Sequence, residues 1–228
     1  MPIRTTFYFD GFNFYNGLKS AITKDPIWKK YYWLDLVKFA DQFISKNQII
    51  TSVKYFTAEP LQPDKAHRQS ALFKANKLLN GEKVEFIKGK YTRKRIRCMA
   101  DCRQTFSTYE EKRTDVNISV QIMGDCAFDK TDVLVLISAD SDLVPTIEYL
   151  INYYPQKTIK VFFPPCRRSD DLRETMKNKV EFLDLPSNRR KFESSVMLPT
   201  VRIPGDFVTI PAEWVLYPSN PQLGNNLF

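Results

Sequence analysis

The stretch Val133-Leu-Val-Leu-Ile-Ser-Ala-Asp-Ser-Asp-Leu-Val-Pro145 decides the fold. Val133 to Ile137 are apolar and mostly β-branched, which reads as a parallel strand buried on both faces. The strand stops at Ser138-Ala139-Asp140-Ser141-Asp142. Two carboxylates therefore stand two residues apart at the carboxyl end of a buried strand, where open α/β sheets place their ligand crevice. Pro145 fits the first turn of a following helix, where its missing N–H is not needed.

Working outward, residues 3–9 form a β-rich run that ends at Asp10-Gly11-Phe12-Asn13, with a helix following through Leu18 and Ala21. Residues 25–33 are aromatic and basic and read as a loop. Leu36, Val37, Ala40, Phe43 and Ile44 have helical spacing, with Asp35 as N-cap. Residues 53–58 read as a strand, 65–79 as a helix stopped by Gly81, and 84–87 as a strand. Residues 88–113 show no clean period and read as a loop or protruding hairpin. Over 116–123 the pattern is divided: alternation at 116, 118, 120 and 122 favours a strand, while 116, 120 and 123 fit a helix. A helix follows Pro145, then a strand at 159–163, a capped helix start at Ser169 and a strand at 180–185. Strands alternating with helices predict an α/β fold, a mostly parallel sheet with helices on both faces. Beyond Pro186, prolines 199, 204, 211, 218 and 221 punctuate short β-like pieces with no helix. The expected organisation is a domain over 1–186 and an extension over 187–228 that packs on it.

The chain has 228 residues and a net charge of +8, enough for a sizeable core. Residues 83–113 hold ten Lys/Arg against four acids, and so supply +6 of that charge. Such a block faces solvent or an anionic polymer. Tyr91, amid Lys90, Arg93, Lys94, Arg95 and Arg97, has the composition to stack a base between phosphate contacts. Arg167 and Arg168 precede the helix start at Ser169, a suitable place for a phosphate unless they pair with Asp170, Asp171 or Glu174. No apolar run of about 18 residues appears, and the start of the chain has no signal-peptide pattern. The expectation is a soluble, cytoplasmic protein with no membrane partner. Four scattered cysteines argue against a disulfide framework. Zinc at Cys98 and Cys102 is disfavoured, because their spacing is unusual and no second pair follows. Cys126 and Cys166 read as buried small hydrophobes.

Asp10 ends one strand, and Asp140 and Asp142 end another. If the strands are neighbours in a parallel sheet, their carboxylates share one crevice. Clustered carboxylates repel unless a cation intervenes, and hard oxygen donors suit Mg²⁺ or Mn²⁺. His67 is the only histidine, which all but removes histidine-based acid–base chemistry. An Asp-x-Asp after a strand also occurs in nucleotide-sugar transferases.

Phe9-Asp-Gly-Phe-Asn13, Glu111-Lys-Arg-Thr-Asp-Val-Asn117 and Ile137-Ser-Ala-Asp-Ser-Asp-Leu-Val-Pro145 resemble, in order and spacing, the three motifs of NYN domains in the PIN-like nuclease superfamily. Phe163-Pro-Pro-Cys-Arg-Arg-Ser-Asp-Asp-Leu172 is similar to a later loop of bacterial members, and Ile210-Pro-Ala-Glu-Trp214 to their C-terminal ending. The resemblance implies a Rossmann-like, PIN-like sheet and a Mg²⁺- or Mn²⁺-dependent endoribonuclease, with RNA as partner. By motif position it implies Asp10, Asp115, Asp140 and Asp142 as the metal-binding and catalytic set. Asn13 would orient a ligand, and Ser138 and Ser141 would support with hydroxyls. It also implies a helix over 116–123, with Asp115 in its first turn. Asp125 and Asp132 then read as structural caps, Asp132 with a lesser claim to the edge of the site. Ala139 stands where the motif often has glycine. The rival class is an RNA-binding module with the same metal site and slow or no catalysis. A second copy of the chain is a candidate partner on which the sequence is silent.

Overall fold

The computed structural model describes residues 1–98, 104–176 and 179–216. Among these residues the strands are β1 Ile3–Asp10, β2 Gln48–Thr57, β3 Val84–Lys88, β4 Lys90–Arg97, β5 Thr105–Lys112, β6 Val133–Ile137, β7 Thr158–Phe163, β8 Glu181–Asp184, β9 Thr200–Ile203 and β10 Asp206–Thr209. The helices are α1 Gly11–Ile22, α2 Leu36–Asp41, α3 Pro63–Asn80, α4 Thr114–Ala127, α5 Val144–Tyr153, α6 Asp170–Thr175 and α7 Arg189–Ser194.

Six strands form one parallel sheet in the order β3-β2-β1-β6-β7-β8. All five residues of β6 are buried, as its uninterrupted apolar sequence requires. Side chains alternate across the sheet. Phe7, Phe9, Val135, Ile137 and Phe162 face one core with α1, α2 and α7. Tyr8, Leu134, Leu136, Val161 and Phe163 face another with α4, α5 and α6. The chain builds outward from β1 in one direction and, after α4, from β6 in the other. The strand order therefore reverses between β1 and β6, and at such a switch point the connecting helices part and leave a crevice at the carboxyl ends.

Within the basic stretch 88–113, β4 pairs antiparallel with β5 as a separate two-stranded hairpin. Its root is tight. A Cβ on Gly89 would lie 2.7 Å from the Lys112 carbonyl oxygen and 2.9 Å from Thr114 Oγ1. Arg113, with φ 81°, turns the chain from β5 directly into α4.

Residues 25–33, expected as a loop, contain a 3₁₀ helix over Pro26–Tyr32, capped by Asp25, whose carboxylate accepts from Ile27 N. Trp28 and Tyr31 bury from it, and a spacing of three residues lines up on one side of a 3₁₀ helix. The segment after Pro186 was expected to lack helix but holds α7. The prolines that set that expectation all lie beyond it. Phe192 anchors α7 in the first core, 4.5 Å from the ring centroid of Phe39. Hairpin β9–β10 and Trp214 close a third cluster with Trp33 and α3. Cys126 is buried, but Cys166 is exposed on a left-handed turn at φ 55°, a corner rather than a core position. Cys98 is half-buried. Cys102 lies outside the described residues, so the pairing of these two cysteines does as well.

Asp125 is not a cap. It is buried on α4, where Lys54 Nζ donates to its Oδ2 at 2.6 Å and Tyr8 Oη donates at 2.8 Å. Asp132 binds Arg4 through its backbone N at 2.9 Å and its Nε at 3.0 Å. That places it at the amino end of β6, the far end of the sheet from the crevice. Magnitudes distinguish a cap from a buried ion pair. Losing a cap costs about 0.5–2 kcal/mol, whereas stranding one buried charge costs about 3–5 kcal/mol. Asp125→Ala is expected to lose the larger amount in urea unfolding, and Lys54→Met with Asp125→Leu to recover most of it. A loss near 1 kcal/mol would return Asp125 to a capping role.

Candidate metal centre and the cavity beside it

The register Phe9↔Ile137 in the β1–β6 pair brings Asp10 level with Ser138. Asp10 closes β1 and caps α1, its Oδ1 accepting from Asn13 N at 2.9 Å. Ser138 Oγ donates to its other oxygen at 2.8 Å and accepts from Asp140 N at 3.0 Å. One buried hydroxyl thus links the ends of the two central strands. Gly11 is required here. A Cβ at that position would stand 2.3 Å from the Tyr55 ring and 2.5 Å from the Phe56 carbonyl oxygen, so α1 can start against β2 only without a side chain.

Asp115 arrives from another part of the chain. It lies in the first turn of α4, the helix over 116–123 that alternation alone left undecided. Two contacts fix that helix. The Lys54–Asp125 pair holds its distal end against β2. Nearer the site, Ser119 Oγ donates to the Asp115 carbonyl at 2.8 Å and lies 2.7 Å from Thr146 Oγ1 of α5.

Asp10, Asp115 and Asp140 each present a carboxylate oxygen within 4.8 Å of the others, a group able to hold a metal ion. Burial pushes the Asp10 carboxyl up from 3.8 to about 6, with Asp115 and Asp140 adding to the rise. Desolvation also raises Asp115 to about 6, followed by the charges of Asp140, Glu111 and Asp142. A divalent cation would remove that repulsion, and an all-oxygen, all-carboxylate donor set fits Mg²⁺ or Mn²⁺.

The other expected residues are distributed around this group. Asn13 sits half-buried in the first turn of α1. Its Oδ1 accepts from Ala139 N at 3.3 Å, which bridges α1 to the β6 loop. Ala139 itself is not in the left-handed region, so alanine there is unstrained. Asp142 is exposed on a short 3₁₀ turn over Ser141–Leu143. It lies outside the three-carboxylate group and reaches Asp115 only through its charge. Ser141 is exposed as well. On the hairpin, Lys94 pairs with Glu110 at 3.5 Å, and Arg93 Nε donates to Ser107 Oγ at 3.0 Å. Lys90, Arg95 and Arg97 are exposed, and Tyr91 is half-buried. Arg168 pairs with Asp184, not with the nearby acids the sequence offered, and Arg167 is exposed.

A cavity of about 380 Å³ is lined in part by Gly11 and Phe12, the two residues that follow Asp10. Its walls come from α1, the end of β2, α3, both hairpin strands and Trp214. No period in the chain marks it, because its lining is scattered over five segments. Of its lining, Gly11, Phe12 and Trp214 fall in the quoted motifs, and Tyr91 alone is a sequence candidate for base contact.

The NYN domain model matches residues 4–183. Among curated proteins, the chain is 26% identical over 181 residues to 6-hydroxy-3-succinoylpyridine 3-monooxygenase HspA of Pseudomonas putida, covering 65% of this chain and 56% of that protein. The chain thus spans little more than half the length of that relative. Among solved structures, it is similar to a Vibrio parahaemolyticus protein of unknown function, with TM-score 0.51 and 15% identity over 81% of this chain and 93% of that one. No helix among the described residues is long and apolar enough to cross a membrane.

The raised carboxyls set a pH dependence. Between about pH 4 and pH 6 the folded protein holds protons on Asp10 and Asp115 that the unfolded chain has released. Metal-free stability therefore falls as pH rises through that window. Added Mn²⁺ binds only the folded, deprotonated site, so it is expected to raise Tm by several degrees at pH 7.5 and much less at pH 5. Asp115→Asn is expected to raise the metal-free Tm at pH 7.5 and to abolish the manganese shift. Thermal scans across pH with and without manganese check both, and a shift equal at the two pH values would contradict the assignment.

Proposed function

The chain belongs to the NYN domain family, and from that premise we propose that it is a divalent-metal-dependent endoribonuclease. The observation that carries the reading is the meeting of Asp10, Asp115 and Asp140 at the switch point of the sheet. Mg²⁺ or Mn²⁺ held there would supply an activated water and offset charge growing on the phosphate oxygens.

The chain's own groups have distinct tasks in this reading. The Ser138 hydroxyl orients the Asp10 carboxylate directly and holds the Asp140 backbone, while Asp142 N donates to Asp140 Oδ1 at 3.1 Å, so both offer oxygens in a set geometry. Asp115 closes the third side from a helix pinned at two points. Asp142, exposed and outside the three-carboxylate group, would act on the solvent side of a bound metal rather than as one of its ligands. Asn13, its Oδ1 bound to the Ala139 backbone, keeps its amide N–H groups for a phosphate oxygen or a water. The exposed cations of β4 hold the RNA backbone electrostatically.

A second reading has one specific observation behind it: the relative in Pseudomonas putida is named a monooxygenase of a small heteroaromatic acid. The cavity has a size usual for small-molecule sites. The nuclease reading is favoured because its acidic cluster and basic hairpin lie side by side.

Purified protein incubated with mixed RNAs and Mn²⁺ is expected to cut internally, leaving 5′-phosphate and 3′-hydroxyl ends. EDTA is expected to stop the reaction, and Asp140→Asn to slow it at least ~100-fold. RNA that is bound but never cut by the wild type would favour a binding module. Cleavage equal in the wild type and Asp140→Asn would assign the activity to a contaminant.

A further inference from the structure

We infer that the cavity beside the carboxylates is a nucleobase pocket, taking one unpaired base of the RNA next to the phosphate at the metal centre. This rests on the nuclease reading and adds a specificity element to it.

The first observation is the wall chemistry. Phe12, Tyr15, Tyr55, Tyr91, Tyr109 and Trp214 line one space. Tyr15 stacks on Tyr32 with centroids 5.0 Å apart, and Tyr32 packs on Trp214 at 5.4 Å. One wall is thus a braced aromatic surface, while Phe12 and Tyr109 are about half exposed at the opening, at 49% and 53%. Aromatic side chains lining one space suit a flat ring, and every base has a π-face to offer.

The second observation is polar. Gln69 lines the cavity, and its amide nitrogen is already committed to Thr57 Oγ1 at 3.1 Å and the Ala58 carbonyl at 3.2 Å. That orientation fixes its carbonyl oxygen as an acceptor for the amino group of a base. The sheet end thus sets the direction of this amide before any ligand arrives.

The third observation is the path to the pocket. In the β4–β5 pairing Tyr91 is opposite Glu111, and Arg93 is opposite Tyr109. Alternation puts Tyr91, Arg93, Arg95 and Arg97 on one face of β4. Arg95 and Arg97 make no ion pair among the described residues. Tyr91 and Tyr109 enter the cavity from that face, so the arginines continue outward from its mouth. A free aromatic acid needs one counter-charge. A row of arginines leading away from an aromatic-lined pocket matches a polyanion whose one base turns inward. At the other end, Gly11 and Phe12 of the lining directly follow Asp10 in the chain, and Tyr55 Oη donates to the Gly11 carbonyl at 3.3 Å, which sets this end of the cavity at the Asp10 corner of the carboxylate group.

The test uses single-stranded RNAs of about ten nucleotides with 2-aminopurine at successive positions, bound in Ca²⁺ to full-length protein. Cleavage of unmodified RNA in Mn²⁺ is measured in parallel. The expected result is quenching confined to one position, adjacent to the cleavage site. Tyr91→Ala with Tyr109→Ala, on exposed or half-exposed hairpin positions, is expected to remove that quenching and weaken binding roughly 5- to 100-fold. Replacing the quenched nucleotide by an abasic one should weaken wild-type binding similarly and the variant's hardly at all. If ordinary RNA is cut but no position is quenched and the abasic RNA performs equally, the pocket is overturned and the nuclease reading stands. If RNA is neither bound nor cut while nicotinate raises Tm, both are overturned, and the cavity is a site for a free heteroaromatic acid.

Discussion

Three carboxylates held within 4.8 Å repel one another, and the rest of the structure supplies the force that keeps them together. Asp10 pays most in desolvation, since it closes a strand buried on both faces. In return it accepts two hydrogen bonds, from the Asn13 backbone and the Ser138 hydroxyl. Asp140 is tied to the same hydroxyl through its backbone. Asp115, brought from a distant segment, is held through its helix. The buried Lys54–Asp125–Tyr8 contact locks that helix to β1 and β2 at one end, and Ser119 meets α5 at the other. A remote ion pair is thus part of what positions the cluster.

Topology explains why the cluster and the cavity are neighbours. The reversal of strand order between β1 and β6 opens the crevice at the carboxyl ends. Leaving β3, the chain does not cross to β6 at once but first throws out the basic hairpin. Gly89 and Arg113 bring both ends of that hairpin back to the start of α4. The segment that carries the cations is therefore rooted beside the segment that delivers Asp115. Trp214, from beyond the sheet, then closes the far side of the cavity.

Much of this was legible in the chain, and for identifiable reasons. Val133–Ile137 announced a doubly buried strand because the run is short, mostly β-branched and stopped at once by polar and acidic residues. Asp10 and Asp140 followed from the rule that parallel strand ends carry sites. Asp115 was not legible from spacing, because Val116, Ile118, Val120 and Ile122 alternate like a strand. Val116 and Val120 prove to be exposed on a helix, so the apolar pattern did not report the buried face. Motif order resolved it where periodicity did not. Asp125 was misread because a buried ion pair looks, in sequence, like any polar residue near a helix end. The cavity was missed since no local pattern encodes a space between five segments. Helix α7 was obscured by the prolines downstream, although Phe192 is what fastens it to the core.

The claim on which all of this turns is that the carboxylate group of Asp10, Asp115 and Asp140 binds a divalent cation. Anomalous diffraction at the manganese edge, from crystals equilibrated with Mn²⁺ above pH 7, measures this directly. The account predicts a peak among those three side chains, within coordination distance of at least two of them and absent in Asp10→Asn. A peak elsewhere with this position empty, or no peak at saturating manganese, would contradict it.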